Sequence, residues 1–168
     1  MPVSFSSGMV IRDNLDNPLV FISNFTKEKP PGHLIGSRFP VMSSILIDLL
    51  QDNGVDNLQI FPAIIWNTDK TTKWDGYFAV NIVGSLTCAD LEKSEYGTIT
   101  PGDGQNIPPL LVMKKLVMKK DFISNDLLFF RLKEDPLWMI AHERVFNLLK
   151  ENSAPGGWGI DMDELEGS

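Results

Sequence analysis

The stretch Asp75–Tyr96, DGYFAVNIVGSLTCADLEKSEY, decides how the rest of this sequence is read. Tyr77, Phe78, Ala79, Val80, Ile82 and Val83 form a short β-prone apolar run, interrupted only by Asn81. Such a run suits a strand covered on both faces, because a strand with one wet face alternates polar and apolar residues. Gly76 and Gly84 punctuate its ends. A charged segment follows, with Asp90, Glu92, Lys93, Ser94 and Glu95 within six residues. A buried strand feeding a polar loop is a common way to hold side chains on a rigid support. Asp90 is placed to cap a short helical turn starting at Leu91, by accepting from the backbone of Lys93 or Ser94, with Lys93 paired to a nearby carboxylate.

Working outward, Leu58–Trp66 reads as a strand, with Pro62 marking an edge, a bulge or a break. Asn67–Lys73 is a turn, so residues 58 to 83 read as a hairpin. Upstream, Pro40–Asn53 reads as a helix. Pro40 stands at its first position, Val41, Ile45 and Leu49 line one face beside Met42, Leu46 and Leu50, and Gly54 stops it. Residues 1–18 form an irregular arm or edge strand, Leu19–Ile22 a short strand, and Lys27–Phe39 a loop. Downstream, Gly97–Pro109 is a long Gly/Pro loop, and Leu110–Met118 and Leu127–Leu132 are strands. Leu137–Ile140 is a further short strand, and residues 142–152 are a second helix with Ala141, Val145, Leu148 and Leu149 on its apolar face. Trp158–Ile160 adds one more short strand, and the acidic tail 161–168 frays. LLQDNG at 49–54 resembles LLKENS at 148–153 at an offset of 99. Either the helix–turn–strand unit is duplicated around the central strand, or two ordinary helix ends coincide. The expected fold is a single α+β domain over 1–168: a mainly antiparallel or mixed sheet with two principal helices.

The bulk numbers bound the function. A chain of 168 residues is long enough to bury roughly two thirds of the surface of its unfolded form. A net charge of −7 favours solubility, disfavours nucleic acid and anionic membranes, and fits a basic partner. The one cysteine, Cys88, permits no internal disulfide, which fits a reducing compartment, most simply a cytoplasm. The N-terminus lacks a basic segment followed by an apolar one, and no apolar run approaches membrane-spanning length. The expectation is a protein neither exported nor membrane-spanning.

The search for chemistry is negative. His142 begins HERVF, which lacks the second histidine of a zinc-protease motif, and at a helix start its ring suits a local contact. His33 lies in a Pro/Gly loop. Asp90, Glu92 and Glu95 crowd one loop rather than face each other across a cleft, as paired-carboxylate catalysis requires. GDGQN at 102–106 and PGGWG at 155–159 match no phosphate-binding pattern. The expectation is no cofactor and no metal. Arg131, inside the apolar LLFFRL, needs solvent or a carboxylate, and the Asp90–Glu95 loop is the expected partner.

The ordered set YFAVNIVGSLTCADLEKSEY, LFFRLKEDPLWMIAHERVFNLLKEN and GWGI resembles the bacterial immunity-protein-11 family (domain of unknown function 1629) over about residues 38–162. Tyr77, Asn81 and Val83 match its first strand, and Asp90 and Ser94 its loop. Phe130, Arg131 and Leu132 match the next strand, and Glu143, Arg144, Leu148 and Leu149 its helix. Ala141-His142 departs from the pattern, which has a helix-capping Ser there. The resemblance implies a non-enzymatic cytoplasmic protein of interbacterial-competition loci that binds and neutralises a cognate toxin. Acidity suits steering toward a basic toxin. Asp103 and Gln105 in the long loop, with Asp161, Asp163 and Glu164 in the tail, are then the candidate contacts, while Tyr77, Asn81, Asp90, Ser94 and Arg131 form the structural signature. The alternatives are a small regulatory or scaffold domain for another protein partner, and an enzyme using the 90–96 loop.

Overall fold

Strands β4 (Leu58–Asn67) and β5 (Lys73–Ile82) form the expected hairpin. Successive strand residues point to opposite faces, and β5 uses both. Val80 and Ile82 enter one core cluster; Ala79 enters another on the opposite side. The structure, a computed structural model, describes residues 3–100, 109–122 and 127–167.

The hairpin is the middle of a mixed five-stranded sheet. Strand β1 (Leu19–Ser23) pairs parallel with β4, while β3 (Val41–Ser43) pairs antiparallel with β5 and with β2 (Leu34–Ile35), giving the order β1-β4-β5-β3-β2. Pro62 lies within β4 one residue before the pairing with β1 begins at Ala63, where the missing N–H costs no ladder bond on that side, and the β4–β5 register shifts just beyond it.

One face carries helix α1 (Ser44–Asp52), helix α2 (Glu143–Glu151) and a second sheet. That sheet orders β11 (Met139–Ala141), β10 (Phe129–Leu132) and β6 (Ser85–Leu86). Met42, Leu46, Ile47, Leu50, Val80, Ile82, Phe129 and Val145 fill the space between them. On β10, Phe130 and Leu132 face away from Phe129 into another cluster with Cys88, Met113, Leu116 and Ile140. This cluster is closed by β7 (Glu95–Ile99) paired with β8 (Leu110–Lys115), and by β9 (Val117–Met118) paired with β12 (Glu166–Gly167). The fold is the expected single α+β domain.

The opposite face of the main sheet is covered by the N-terminal arm, which is irregular as read. Phe5 and Ile11 supply its burial; polar side chains from the sheets satisfy its backbone. Asn81 Nδ2 donates to Met9 O at 2.8 Å, and Gln59 both donates to Ile11 O at 2.7 Å and accepts from Ile11 N at 2.9 Å. The polar interruption of the apolar run thus faces a segment that has no strand ladder of its own.

Several expectations are corrected. The segment Pro40–Ser43 is not helix: Val41–Ser43 pairs with Tyr77–Ala79, and Ser43 is the N-cap, its Oγ accepting from Leu46 N at 3.2 Å. The later start moves the buried stripe to Leu46, Ile47 and Leu50, leaving Ile45 exposed. Part of the expected 27–39 loop is strand β2. Gly97–Ile99, read as loop, belongs to β7. Trp158–Ile160 lies in no strand, whereas the tail expected to fray contains β12. The two helices are offset by 99 residues, but only α1 is followed by a strand of the proposed repeat. His142 itself caps α2, its Nδ1 accepting from Arg144 N at 3.1 Å, so the departure from the family pattern leaves the helix start capped. Asp90 closes its turn mainly through its backbone carbonyl, which accepts from Lys93 N and Ser94 N; its carboxylate accepts from Glu92 N and pairs with Lys93 at 3.6 Å.

Candidate partner-binding groove

Helix α2 presents one buried residue, Val145, to the core. Its partly buried Leu149 packs against the same cluster, and Phe146 stays 45% exposed. Between α1, α2, β11 and the chain's last residues runs a groove of about 980 Å³. Its interior is apolar, with Met42, Leu46, Leu50, Phe129, Ile140 and Val145 among the lining residues. Leu137, Phe146 and Met162 carry apolar surface out to its lips.

The tail makes one wall, and it is anchored at both ends. Upstream, Trp158 and Ile160 pack on the core, and Trp158 Nε1 donates to Leu149 O at 3.0 Å and Asn152 O at 2.8 Å. Those carbonyls sit at the C-terminal end of α2, where helical partners run out. Downstream, Glu166–Gly167 pairs with β9 and Glu166 meets Lys115 at 3.3 Å. Asp161, Asp163 and Glu164 lie exposed between the anchors, and Glu143 at the start of α2 joins them on the lining.

Trp158 is placed in turn by His33. The buried His33 backbone N–H donates to Trp158 O at 3.1 Å, and its ring lies edge-on to the indole at 5.2 Å. His33 Nε2 is 3.1 Å from Pro155 O, which only accepts, so Nε2 carries the proton and Nδ1 accepts from Ser43 Oγ at 2.7 Å. One hydroxyl therefore caps α1 and holds the histidine that positions the tail. Sequence reading missed this junction, since nothing local marks a loop histidine as buried. It also missed Asn57, whose Nδ2 donates to Val83 O and Phe129 O, both at 2.7 Å, joining the two sheets.

The signature residues lie elsewhere. Tyr77 donates its hydroxyl to Pro31 O at 3.0 Å. Ser94 fixes its loop to β9, accepting from Val117 N at 2.9 Å and donating to Val117 O at 3.2 Å. Arg131 does not reach the Asp90–Glu95 loop. It is fully buried, and its guanidinium donates to Pro136 O at 3.1 Å and Phe5 O at 3.2 Å, while Nε has no partner among the described residues. Burial pushes its pKa down to about 10. β10 turns this side chain toward the arm, and the Phe5 carbonyl there, with that of Pro136 five residues on, takes the place of the expected carboxylate. Asp103 and Gln105 lie outside the described residues.

Among the described residues, no group of three or more His, Cys, Asp or Glu is arranged to hold a metal, and no helix is long and apolar enough to cross a membrane. An apolar groove with a carboxylate rim on a rigid α+β scaffold is the kind of surface that receives another molecule. The sequence profile of the Immunity protein family (Imm11) matches residues 6–165, nearly the whole chain, and the chain belongs to that family. No curated protein matches it.

Proposed function

We propose that this protein binds a cognate bacterial toxin domain in the cytoplasm and neutralises it, acting as a binding protein rather than an enzyme. Membership of an immunity-protein family over residues 6–165 carries this reading. The net charge of −7 supports a basic toxin, because complementary charge steers encounter and raises the association rate. Interbacterial competition is the setting in which such a pair is used.

The test is co-expression. Each toxin candidate encoded beside this gene is induced alone and together with this chain in a bacterial host. One candidate is expected to arrest growth, with growth restored by this chain and the two proteins co-purifying. Arrest by neighbouring candidates that this chain never relieves would overturn the proposal.

A further inference from the structure

We infer that the groove between α2 and the C-terminal strap is the docking surface, and that it receives a cationic segment with apolar anchors from the toxin. This identification of the surface rests on the neutralising function proposed above. Three observations carry it. The interior is apolar, and Leu137, Phe146 and Met162, exposed at 46%, 45% and 36%, extend that surface to the lips. Side chains of this size, exposed around an apolar cleft, suit the central anchors of a protein interface better than a monomer's surface.

Second, the charge on the groove has one sign. Glu143, Asp161, Asp163 and Glu164 line it, and no Lys or Arg is among its described lining residues. Among the described residues, none of these four carboxylates is in an ion pair. An occupant bearing Lys or Arg meets unpaired charge across low-dielectric walls, where complementarity steers association and selects the partner.

Third, the acidic strap is preorganised. Trp158 anchors it on one side and the β9–β12 pairing on the other, so little ordering is needed on binding. An apolar cleft of this shape, walled by a helix and a strap, suits an amphipathic segment laid lengthwise.

Two measurements test the inference, the first of them separately from the function. In the first, a labelled amphipathic helical peptide of alternating Leu and Lys faces is titrated at low salt against the full chain, with a Leu/Glu peptide of the same pattern as comparison. The cationic peptide is expected to bind and the acidic one not. Asp161→Lys/Asp163→Lys is expected to weaken binding by about tenfold or more, and Phe146→Ala by about fivefold. Asp13→Lys/Asp16→Lys changes net charge equally on the arm at the opposite face and should leave binding unchanged. Equal weakening by both double variants, or no binding of the cationic peptide, overturns the groove assignment whatever the toxin does.

In the second, the same variants are tested against the cognate toxin. Loss of neutralisation confined to the groove variants supports the assignment. Wild-type neutralisation that survives both groove changes leaves the function standing and overturns the groove. Failure of wild type to neutralise any neighbouring toxin removes the function and with it the toxin as occupant. A wild-type dimer in solution that the groove variants dissociate would replace the toxin by a second copy and also overturn the inference.

Discussion

Replacing Ser43 by Ala tests the junction that ties the first helix to the groove wall. Ser43 Oγ accepts from Leu46 N at 3.2 Å and donates to His33 Nδ1 at 2.7 Å, with both residues buried. Loss of the cap costs about 1 kcal/mol. The imidazole nitrogen left without a donor in a buried site costs about 1–3 kcal/mol more. The expected loss is therefore about 2–4 kcal/mol, or a fall in Tm of roughly 5–15 °C for a chain of this length. Urea denaturation followed by tryptophan fluorescence reads it, and Trp158 beside His33 is the local reporter. Ser43→Thr keeps the hydroxyl and should cost under about 1 kcal/mol. His33→Phe completes a double-mutant cycle, in which the pair should show a coupling of about 1–2 kcal/mol. A loss below about 0.5 kcal/mol for Ser43→Ala, or additivity of the two changes, would refute the idea of one hydroxyl serving both groups.

Two further outcomes are expected. Arg131→Met removes two bonds to carbonyls, together worth about 3–6 kcal/mol, and relieves a burial cost of about 3 kcal/mol inferred from the fall of the guanidinium to about 10. The net loss should be about 0–3 kcal/mol, with the arm loosened and trypsin cutting faster after the exposed Arg12; unchanged cleavage would refute the tether. The Cys88 thiol is buried and pushed up to about 11, first by burial and then by the Glu134 carboxylate, so it stays protonated at pH 8. Iodoacetamide at pH 8 is expected to leave the folded protein unlabelled and to label it in urea; rapid native labelling would contradict this.

The most legible parts were those with local causes. The apolar run of β5, the Asn67–Lys73 turn and the apolar spacing of α2 are properties of neighbouring residues, and each element is present. Gly54 ends α1 with φ +94°, as its position past Asp52-Asn53 implied. Pro40–Ser43 was misread because proline suits a first helical turn and a strand end alike. Pairing with Tyr77–Ala79 settles the matter, and those residues are distant in sequence.

The candidate site was legible in half. Asp161, Asp163 and Glu164 are legible in the sequence as charges on an acidic tail, and the structure sets them on a wall held at both ends. The groove itself was invisible, because its sides come from residues near 42, 130, 146 and 162 that share no local pattern.

By itself, then, the sequence determined the family, the α+β class, the hairpin at the centre and the acidic character, since each depends on composition, order or short-range periodicity. Only the tertiary structure decided where the isolated polar groups went. Arg131 found the carbonyl of Phe5, 126 residues away, Asn81 that of Met9, and His33 the hydroxyl of Ser43 and the carbonyl of Pro155. A buried polar group must be satisfied by whatever packing brings within about 3 Å, and the order of residues along the chain carries no signal for that.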